Sequence, residues 1–464
     1  MKTDSMILAA LIAAMSMTTL AGPLDKAWIK GTTDKSPIAY KVGEKMVITL
    51  SPMEVEGALP AGEYFLQWKR SGDDGKVENG KEPFDGRTPF KYATSIDRPG
   101  FVRLTASVVD KAGKRYRKQF VGDATTPEGK KAMNEFEKKN KAVFFDGGAG
   151  AEIETLKTVG EPDDFDAFWA KQAERLAKVP IKVLEQVEIP CANKAVRLYA
   201  ISIACAGLRP VTGYLSIPKG VDQGKTYPAH LSTHGYSGDR CTHDAPSWRN
   251  DGVIHLDINA HGLKLREFGA TDADTKVLRW ETRSHGHTYA FDPKQNADPE
   301  VAYFNGMVLR VKRALQYLKT IKGWNGKDLE ASGGSQGGLQ TIWAAGCGEG
   351  VTKAMSGITW CCDMYTSGKL RIDAKNNLSS DFWYIPWTPA LGYYDAAIFA
   401  KRIPKTCHTV ITRAGIGDYC CPPTGLAKMW NNMTCPKTIH WYQGSQHGYV
   451  PPKYDGGVIT VEVK

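Results

Sequence analysis

The sequence predicts an α/β protein whose mainly parallel central sheet is preceded by a small antiparallel β-sandwich of the immunoglobulin-like kind. After about residue 161, short apolar strands alternate with amphipathic helices, as in sheets that helices cover on both faces. Before that point, runs such as KMVITL at 45–50 and GFVRLTASVVD at 100–110 are separated by turn clusters such as SGDDGKVENG at 71–80. The length of 464 residues agrees with two folded units, because one hydrophobic core rarely extends so far.

These patterns divide the chain into four segments. We expect a signal peptide at 1–21, a β-sandwich domain at 22–124, a linker at 125–160 and a larger α/β domain at 161–464. The linker is charged and then Gly-rich, and the helical spacing that follows it begins at about Phe165. The sandwich has no cluster of His, Cys or paired acids, so it is predicted either as a carbohydrate-binding or docking module or as a structural spacer.

The N-terminus carries the features of an export signal. Lys2 precedes an apolar stretch from Met6 to Met15, and an A-x-A-like site predicts cleavage after Ala21. A membrane anchor is the alternative, but the apolar run is shorter than the roughly 20 residues that a spanning helix needs. We therefore expect a periplasmic or secreted protein without a membrane span.

Charge and cysteine content exclude some classes of function. The formal net charge is +10, but basic and acidic residues are interspersed, so no nucleic-acid partner is predicted. Ten cysteines in an exported chain predict some disulfides, with buried thiols as the alternative for several of them, and the pairing cannot be read from the sequence. No C-x-x-C pair occurs, so we expect no structural zinc site and no other metal.

Seven strands and one long helix are predicted for the larger domain. The helix has apolar residues at helical spacing from Phe304 to Leu318. The strand candidates are Tyr214–Ile217, His230–Thr233, Val253–Ile258, Leu329–Ser332, Ser356–Cys361, Thr409–Arg413 and Thr438–Tyr442.

The pentapeptide GGSQG at 333–337 fits the pattern G-x-S-x-G. Ser335 follows the strand candidate that ends at Ser332 and precedes apolar residues at helical spacing, which places it at a strand-to-helix corner. Such a corner suits a nucleophilic serine, since small neighbours allow the tight turn and the helix N-terminus offers N–H groups to an oxyanion. A phosphate-binding loop is the weaker interpretation, because no Lys-Ser/Thr pair follows the glycines.

A nucleophilic serine needs a base and an acid that orients the base, in the order Ser, Asp or Glu, His. Asp418 and His447 each follow a strand candidate and fit that order. Asp363 is a competing acid, but it is more readily explained as a helix N-cap. His440 lies within a strand candidate and fits a core position. Three further histidines fit the role of base less well than His447. His408 opens a strand candidate, and His285 and His287 precede the serine, against the expected order.

Two backbone N–H groups are expected to stabilise the oxyanion. The first belongs to Gln336, directly after the serine. The second is assigned to Tyr236, in the HGYSG loop that follows an earlier strand, where Gly235 allows a close backbone approach. His234 in the same loop is expected to pack the loop rather than bind zinc.

Several motifs in one order resemble the acetyl xylan esterase and cephalosporin C deacetylase family, carbohydrate esterase family seven. They are EPDDFDAFW, GYLSIPKG, HGYSG, GGSQGG, YYDAAIFAKRI, GIGDYCCPP and the terminal QHGY, within about 161–450. The resemblance implies an α/β-hydrolase fold, hydrolysis of acetyl esters on small sugars, and no metal or other cofactor. It assigns the nucleophile to Ser335, the acid to Asp418, the base to His447 and the oxyanion donors to Tyr236 and Gln336.

The sequence also departs from the family pattern. The family's Arg-Gly-Gln-Gly is here Asn-Ala-His-Gly at 259–262, which makes His261 a candidate substrate contact. An aromatic insert at 376–392 offers Trp383, Tyr384 and Trp387 either as a sugar-stacking surface or as a lid packed on the core. A homo-oligomer stays open, although the additional sandwich would obstruct the ring-like assemblies of the family.

The expected function is that of an exported serine carboxylesterase that removes acetyl groups from acetylated xylo-oligosaccharides or related sugars. Its expected partner is therefore an acetylated oligosaccharide substrate. Two alternatives remain at this point. One is a carboxylesterase for other acyl groups or for uronate methyl esters, and the other is a catalytically silent, hydrolase-like glycan-binding protein.

Overall fold

A computed structural model describes residues 22–139, 141–236, 245–274, 276, 283–366, 385–452 and 458–463. The predicted signal peptide at 1–21 lies outside these ranges, so its cleavage stays a prediction. Within them, no helix combines the length and the apolar character needed to cross a bilayer.

Two antiparallel sheets form the N-terminal module. The first has the order β1-β2-β5 and the second the order β4-β3-β6-β7. The seven strands are β1 (Trp28–Thr33), β2 (Met46–Met53), β3 (Tyr64–Gly72), β4 (Glu78–Pro83), β5 (Phe90–Thr94), β6 (Gly100–Asp110) and β7 (Phe144–Ala151).

The core of this module follows from period-two alternation. In β2, Met46, Ile48 and Leu50 are buried while the residues between them are half-buried. Ile48 and Leu50 pack in one apolar cluster with Leu104 of β6 and Phe145 of β7. Two sheets joined by one apolar core agree with the predicted small antiparallel sandwich.

The stretch predicted as a linker, 125–160, contains regular structure. It holds helix α1 (Pro127–Lys139) and the whole of β7. Strand β7 pairs with β6 from Phe144 opposite Ser107 to Ala151 opposite Gly100. Its sequence FFDGGAGA has no polar and apolar alternation because nearly every residue of the strand is buried. We therefore propose that the N-terminal module extends to about residue 151.

A ten-stranded sheet organises the larger domain, with the order β19-β18-β17-β16-β15-β11-β12-β10-β9-β8. A short hairpin of β13 (Arg283–Ser284) and β14 (His287–Thr288) stands apart from it. The ten strands are β8 (Val183–Ile189), β9 (Val196–Ile203), β10 (Val211–Pro218), β11 (Tyr227–Thr233), β12 (Ile254–Ile258), β15 (Trp324–Gly334), β16 (Lys353–Gly357), β17 (His408–Gly415), β18 (Lys437–Tyr442) and β19 (Val458–Val463).

The centre of this sheet is parallel and its two ends are antiparallel. The five adjacent pairings from β12 through β18 are parallel. The β18–β19 pair at one end and the β12–β10, β10–β9 and β9–β8 pairs at the other are antiparallel. The carboxyl ends of the parallel strands meet at one edge, where open α/β sheets place their sites.

Five α-helices of the larger domain lie wholly within the described ranges: α2 (Phe165–Ala177), α3 (Tyr303–Leu318), α4 (Gln336–Gly346), α5 (Ala396–Phe399) and α6 (Pro423–Asn432). The predicted helix from Phe304 to Leu318 is confirmed as α3, and its apolar stripe lies in the main core. Helix α4 is almost entirely buried, which fixes the segment directly after Ser335.

One predicted strand is displaced. Ser356–Cys361 was expected, but β16 ends at Gly357. The chain turns there, with Ile358 at a φ of 40° and Cys361 at a φ of 56°. The Trp360 N–H then donates a 3.1 Å hydrogen bond to the Ser335 carbonyl, so the turn supports the serine corner rather than extending the sheet.

The predicted disulfides are absent among the described cysteines. No disulfide joins any two of the nine described cysteines, and six of the nine side chains are buried. Cys241 lies outside the described residues. Burial in apolar surroundings explains these thiols, since cysteine packs as a small hydrophobic side chain.

Candidate active site

Ser335 occupies a strained corner between β15 and α4. Its φ of 59° and ψ of −120° fall in a region that side chains with a Cβ seldom adopt. Three hydrogen bonds hold it there: its N–H donates to the Gly357 carbonyl at 2.8 Å, and its own carbonyl accepts from Leu339 and Trp360 at 3.1 Å each. The surrounding backbone therefore fixes the direction of the Ser335 hydroxyl.

Close packing against β11 explains the glycine two residues before the serine. A Cβ on Gly333 would lie 2.4 Å from Thr233 Oγ1 and 2.6 Å from the Gly337 carbonyl carbon. The Thr233 hydroxyl donates to the Gly337 carbonyl at 2.8 Å, which ties the start of α4 to the end of β11. The G-x-S-x-G pattern thus reflects the packing of this corner.

Ser335, His447 and Asp418 form a continuous hydrogen-bond chain, which we call the relay. His447 Nε2 lies 3.0 Å from Ser335 Oγ, and His447 Nδ1 lies 3.0 Å from Asp418 Oδ2. An ionised carboxylate only accepts, so Nδ1 carries the proton and Nε2 accepts from the serine hydroxyl. The structure therefore brings together the three residues that the sequence suggested for nucleophile, base and acid.

Hydrogen bonds hold both outer residues of the relay, from its own loop for Asp418 and from β17 for His447. Asp418 is buried, and its Oδ1 accepts from the N–H groups of Cys420 at 3.0 Å and Cys421 at 2.9 Å. The His447 carbonyl accepts from Arg413 Nη2 at 2.5 Å. These bonds orient the carboxylate and the imidazole before any substrate binds.

The neighbours of His447 shift the pKa of its imidazole. Burial opposes the charged ring, but hydrogen bonds with Asp418 and Cys420 outweigh it and raise the pKa of His447 above its usual value. The hydrogen bond with Cys421 is the largest cause that lowers the pKa of the Cys420 thiol, and His447 lowers it further. Sequence reasoning did not connect Cys420 with the site, although it lies two residues after Asp418.

Among the described residues, one group of side chains could hold a metal ion: Cys420, Cys421 and His447. The donor atoms of Cys420, Cys421 and His447 lie within 4.8 Å of one another. Both ring nitrogens of His447 already belong to the relay, so a metal bound there would displace Ser335 or Asp418. The expected absence of a metal stays a prediction.

Tyr289 contacts both residues that are predicted to supply the oxyanion donors. Gln336 opens α4, and Tyr236 follows the end of β11. The Tyr289 hydroxyl donates to Gln336 Oε1 at 2.6 Å, and the Tyr289 ring stacks on Tyr236 with centroids 4.4 Å apart. Tyr289 lies in a turn without a recognisable motif, so sequence reasoning did not identify it.

The other candidate residues have different surroundings. His261 is fully buried, with Nδ1 3.0 Å from the Tyr303 hydroxyl, so direct contact with substrate would need a rearrangement. His234 Nε2 accepts from the Ala260 N–H at 2.9 Å, in agreement with a loop-packing role. Trp387 is half-buried against Tyr365, with centroids 5.3 Å apart.

Trp383 and Tyr384 lie outside the described residues. The competing acid is held elsewhere: Asp363 Oδ2 lies 2.5 Å from Lys428 Nζ in a buried ion pair. Asp363 directly precedes the helical residues 364–366, as expected of an N-cap position, but the carboxylate that accepts the N–H groups of Asp363 and Met364 is that of Asp395.

A largely parallel sheet, a serine at a strand-to-helix elbow, and an acid and a histidine beyond later strands define an α/β hydrolase. The fold agrees with two solved structures. An acetyl xylan esterase from Paenibacillus sp. R4 matches with a TM-score of 0.51 and 21% identity, over 65% of this chain and 94% of that one. Acetyl xylan esterase 1 from Thermoanaerobacterium sp. JW/SL YS485 gives 0.51 and 18%, over the same shares.

The chain belongs to the acetyl xylan esterase (AXE1) family, whose profile matches residues 151–459. It is therefore a carboxylic ester hydrolase, as the resemblance implied. The acetyl esterase Axe7A of Xylanibacter ruminicola is 26% identical over 408 residues, which cover 86% of this chain and 82% of that protein. That match extends into the N-terminal module, whereas the family profile begins at the last residue of β7.

Proposed function

We propose that this chain is an exported serine esterase that removes acetyl groups from acetylated xylo-oligosaccharides or related sugars. The single observation that carries the proposed mechanism is the relay, in which Ser335 on a strained elbow, His447 and Asp418 are joined by two 3.0 Å contacts. Membership of the acetyl xylan esterase family supports an acetyl ester as substrate. The N-terminal stretch at 1–21 supports export by its sequence alone.

In this mechanism Ser335 Oγ attacks the acetyl carbonyl carbon while His447 Nε2 takes the hydroxyl proton. Asp418 keeps the proton of the imidazole on Nδ1 and stabilises the imidazolium that forms. The N–H groups of Tyr236 and Gln336 stabilise the tetrahedral oxyanion. The sugar hydroxyl leaves with the proton from His447, and a water molecule activated by the same ring then hydrolyses the acetyl-enzyme.

Aromatic side chains next to the elbow support a short acyl group. Trp360, which is 2% exposed, lies edge-on to Tyr236 with centroids 5.2 Å apart, and Tyr289 stacks on Tyr236 with centroids 4.4 Å apart. We propose that these rings bound the acyl pocket and leave room for only a short acyl group. The rate should therefore fall from acetyl to butyryl esters of the same alcohol.

The decisive test replaces Ser335 with Ala and measures turnover of 4-nitrophenyl acetate and release of acetate from acetylated xylo-oligosaccharides. We expect kcat to fall roughly 10,000-fold or more, since the nucleophile is lost. Ser247→Ala is the control, because Ser247 is exposed and its backbone bond to Ala192 would persist. An S335A protein that retains its rate would refute the assignment of the nucleophile. Higher rates on uronate methyl esters than on acetyl esters would refute the substrate class.

A further inference from the structure

The N-terminal module contacts both loops that carry the outer relay residues. We call residues 416–422 the acid loop, since they hold Asp418 between β17 and α6, and residues 443–452 the base loop, since they hold His447 after β18. Both loops pack on β6 and β7 of the module. Loops beyond strand ends are the least restrained part of such a site, so what they pack against matters for catalysis.

A buried ion pair lies at the centre of this contact. Arg103 of β6 donates to Asp146 of β7 from Nε to Oδ1 at 2.8 Å and from Nη2 to Oδ2 at 2.5 Å. The side chains of Arg103 and Asp146 are only 4% and 2% exposed. The bidentate geometry fixes the Asp146 carboxylate in one orientation.

Asp146 contacts the residue directly before each outer member of the relay. In the base loop, Gln446 Nε2 donates to Asp146 Oδ2 at 2.8 Å, and Gln446 precedes His447. In the acid loop, Gly417 precedes Asp418, and a Cβ on Gly417 would lie 1.9 Å from the Asp146 carbonyl oxygen. One residue of the N-terminal module thus restrains the acid and the base together.

Further contacts strengthen the same arrangement. The Arg103 guanidinium lies over the ring of Tyr419, with its Cζ 4.2 Å from the ring centroid. Gln443, at the start of the base loop, exchanges two hydrogen bonds with the Gly148 backbone, at 3.0 and 2.7 Å. The ring of Phe144 lies 4.8 Å from that of Tyr449. These contacts lie on the side of each loop that faces β6 and β7.

We infer that the N-terminal module is a positioning element of the active site, in which Asp146 and Arg103 hold the acid and base loops so that His447 bridges Ser335 and Asp418. This inference rests on the proposed relay. Asp146 and Arg103 are positioning residues, since they act through Gln446 and Gly417. The module then has a role beyond that of a spacer, and this role needs no glycan ligand.

The test uses the full chain and two variants of the contact. Asp146→Asn removes the charge that fixes Arg103 and Gln446, and Gln446→Met removes only the hydrogen bond to the base loop. Asp74→Asn is the matched control, because Arg70 and Asp74 form an equally buried bidentate pair within the same module, at 2.6 Å. The measurements are kcat and KM on 4-nitrophenyl acetate, the pH profile of kcat, and thermal unfolding.

We expect Asp146→Asn to lower kcat about 10- to 100-fold with KM within about twofold, because a displaced base loop misaligns His447. Gln446→Met should lower kcat in the same way by a smaller factor and shift the acid limb of the pH profile. Asp74→Asn should lower the unfolding temperature and leave the kcat of the folded protein unchanged. If Asp146→Asn does not fold, Gln446→Met alone decides the outcome.

Unchanged kcat and pH profile in folded Asp146→Asn and Gln446→Met, with Ser335→Ala inactive, would overturn the inference and leave the proposed function standing. Retained activity in Ser335→Ala would instead overturn the proposed function itself. A kcat loss in Asp74→Asn equal to that in Asp146→Asn would also overturn the inference, since it would show a general effect of instability.

Discussion

Replacing Asp418 with Asn tests how the carboxylate controls the imidazole. Asp418 Oδ1 accepts two backbone N–H groups, from Cys420 at 3.0 Å and Cys421 at 2.9 Å, so an Asn would keep its carbonyl oxygen at that position. Its amide NH₂ would then face His447 Nδ1, which lies 3.0 Å from the present Oδ2. The opposite amide orientation would leave two buried N–H groups without an acceptor, at a cost of about 1–3 kcal/mol for each.

The expected result is a wrong tautomer in an intact fold. With an amide donor at Nδ1, the neutral ring carries its proton on Nε2 and cannot accept the proton of Ser335. We expect kcat to fall roughly 10,000-fold, which corresponds to about 5.5 kcal/mol of transition-state stabilisation. The assay is steady-state hydrolysis of 4-nitrophenyl acetate, together with circular dichroism and thermal unfolding of the same preparation.

Asp363→Asn is the control, because Asp363 is the other acid that the sequence made a candidate. It removes a buried carboxylate from Lys428, so we expect about 3 kcal/mol of destabilisation with kcat retained in the folded protein. The reasoning is refuted if Asp418→Asn keeps kcat within tenfold of the wild type, or if Asp363→Asn loses kcat as severely while it remains folded.

Two further predictions concern the pH dependence and the elbow. Cys420 is one of the groups that raise the pKa of His447, and His447 must be neutral to act as a base. Cys420→Ala should therefore move the acid limb of the pH profile of kcat/KM to lower pH. A shift to higher pH, or no shift, would contradict this prediction. Gly333→Ala should lower stability by about 1–3 kcal/mol, because its Cβ would lie 2.4 Å from Thr233 Oγ1. Gly334→Ala, whose Cβ would meet nothing nearer than 3.8 Å, should unfold at the wild-type temperature, as thermal denaturation will show.

Local patterns in the sequence suggested the candidate relay and predicted seven strands of the larger domain, but not β8, β9 and β19 at the ends of its sheet. Helical spacing predicted α3, and the strand-to-helix corner predicted the elbow at Ser335. The end of β16 was misplaced because it depends on the backbone turn at Ile358. In this turn the N–H of Ile358 donates to the Arg413 carbonyl of β17, and the N–H of Trp360 donates to the Ser335 carbonyl of the elbow. Such tertiary bonds leave no periodic signal in the sequence.

The contacts between the module and the relay loops were beyond sequence reasoning for a related reason. Strand β7 is buried along nearly its whole length, so its Gly-rich sequence resembles a linker rather than an alternating strand. Arg103 and Asp146 are 43 residues apart, and Asp146 and Gln446 are 300 residues apart. A single sequence does not reveal which distant polar residues will pair inside a folded chain.

The 300-residue separation between Asp146 and Gln446 has a consequence for the order of folding. During synthesis the N-terminal strands leave the ribosome long before the base loop exists, and domains generally fold as units from the N-terminus. Closing so long a loop is entropically costly and slow, so the contact with Asp146 would form among the last. In a refolding experiment, recovery of esterase activity should therefore lag behind recovery of secondary structure.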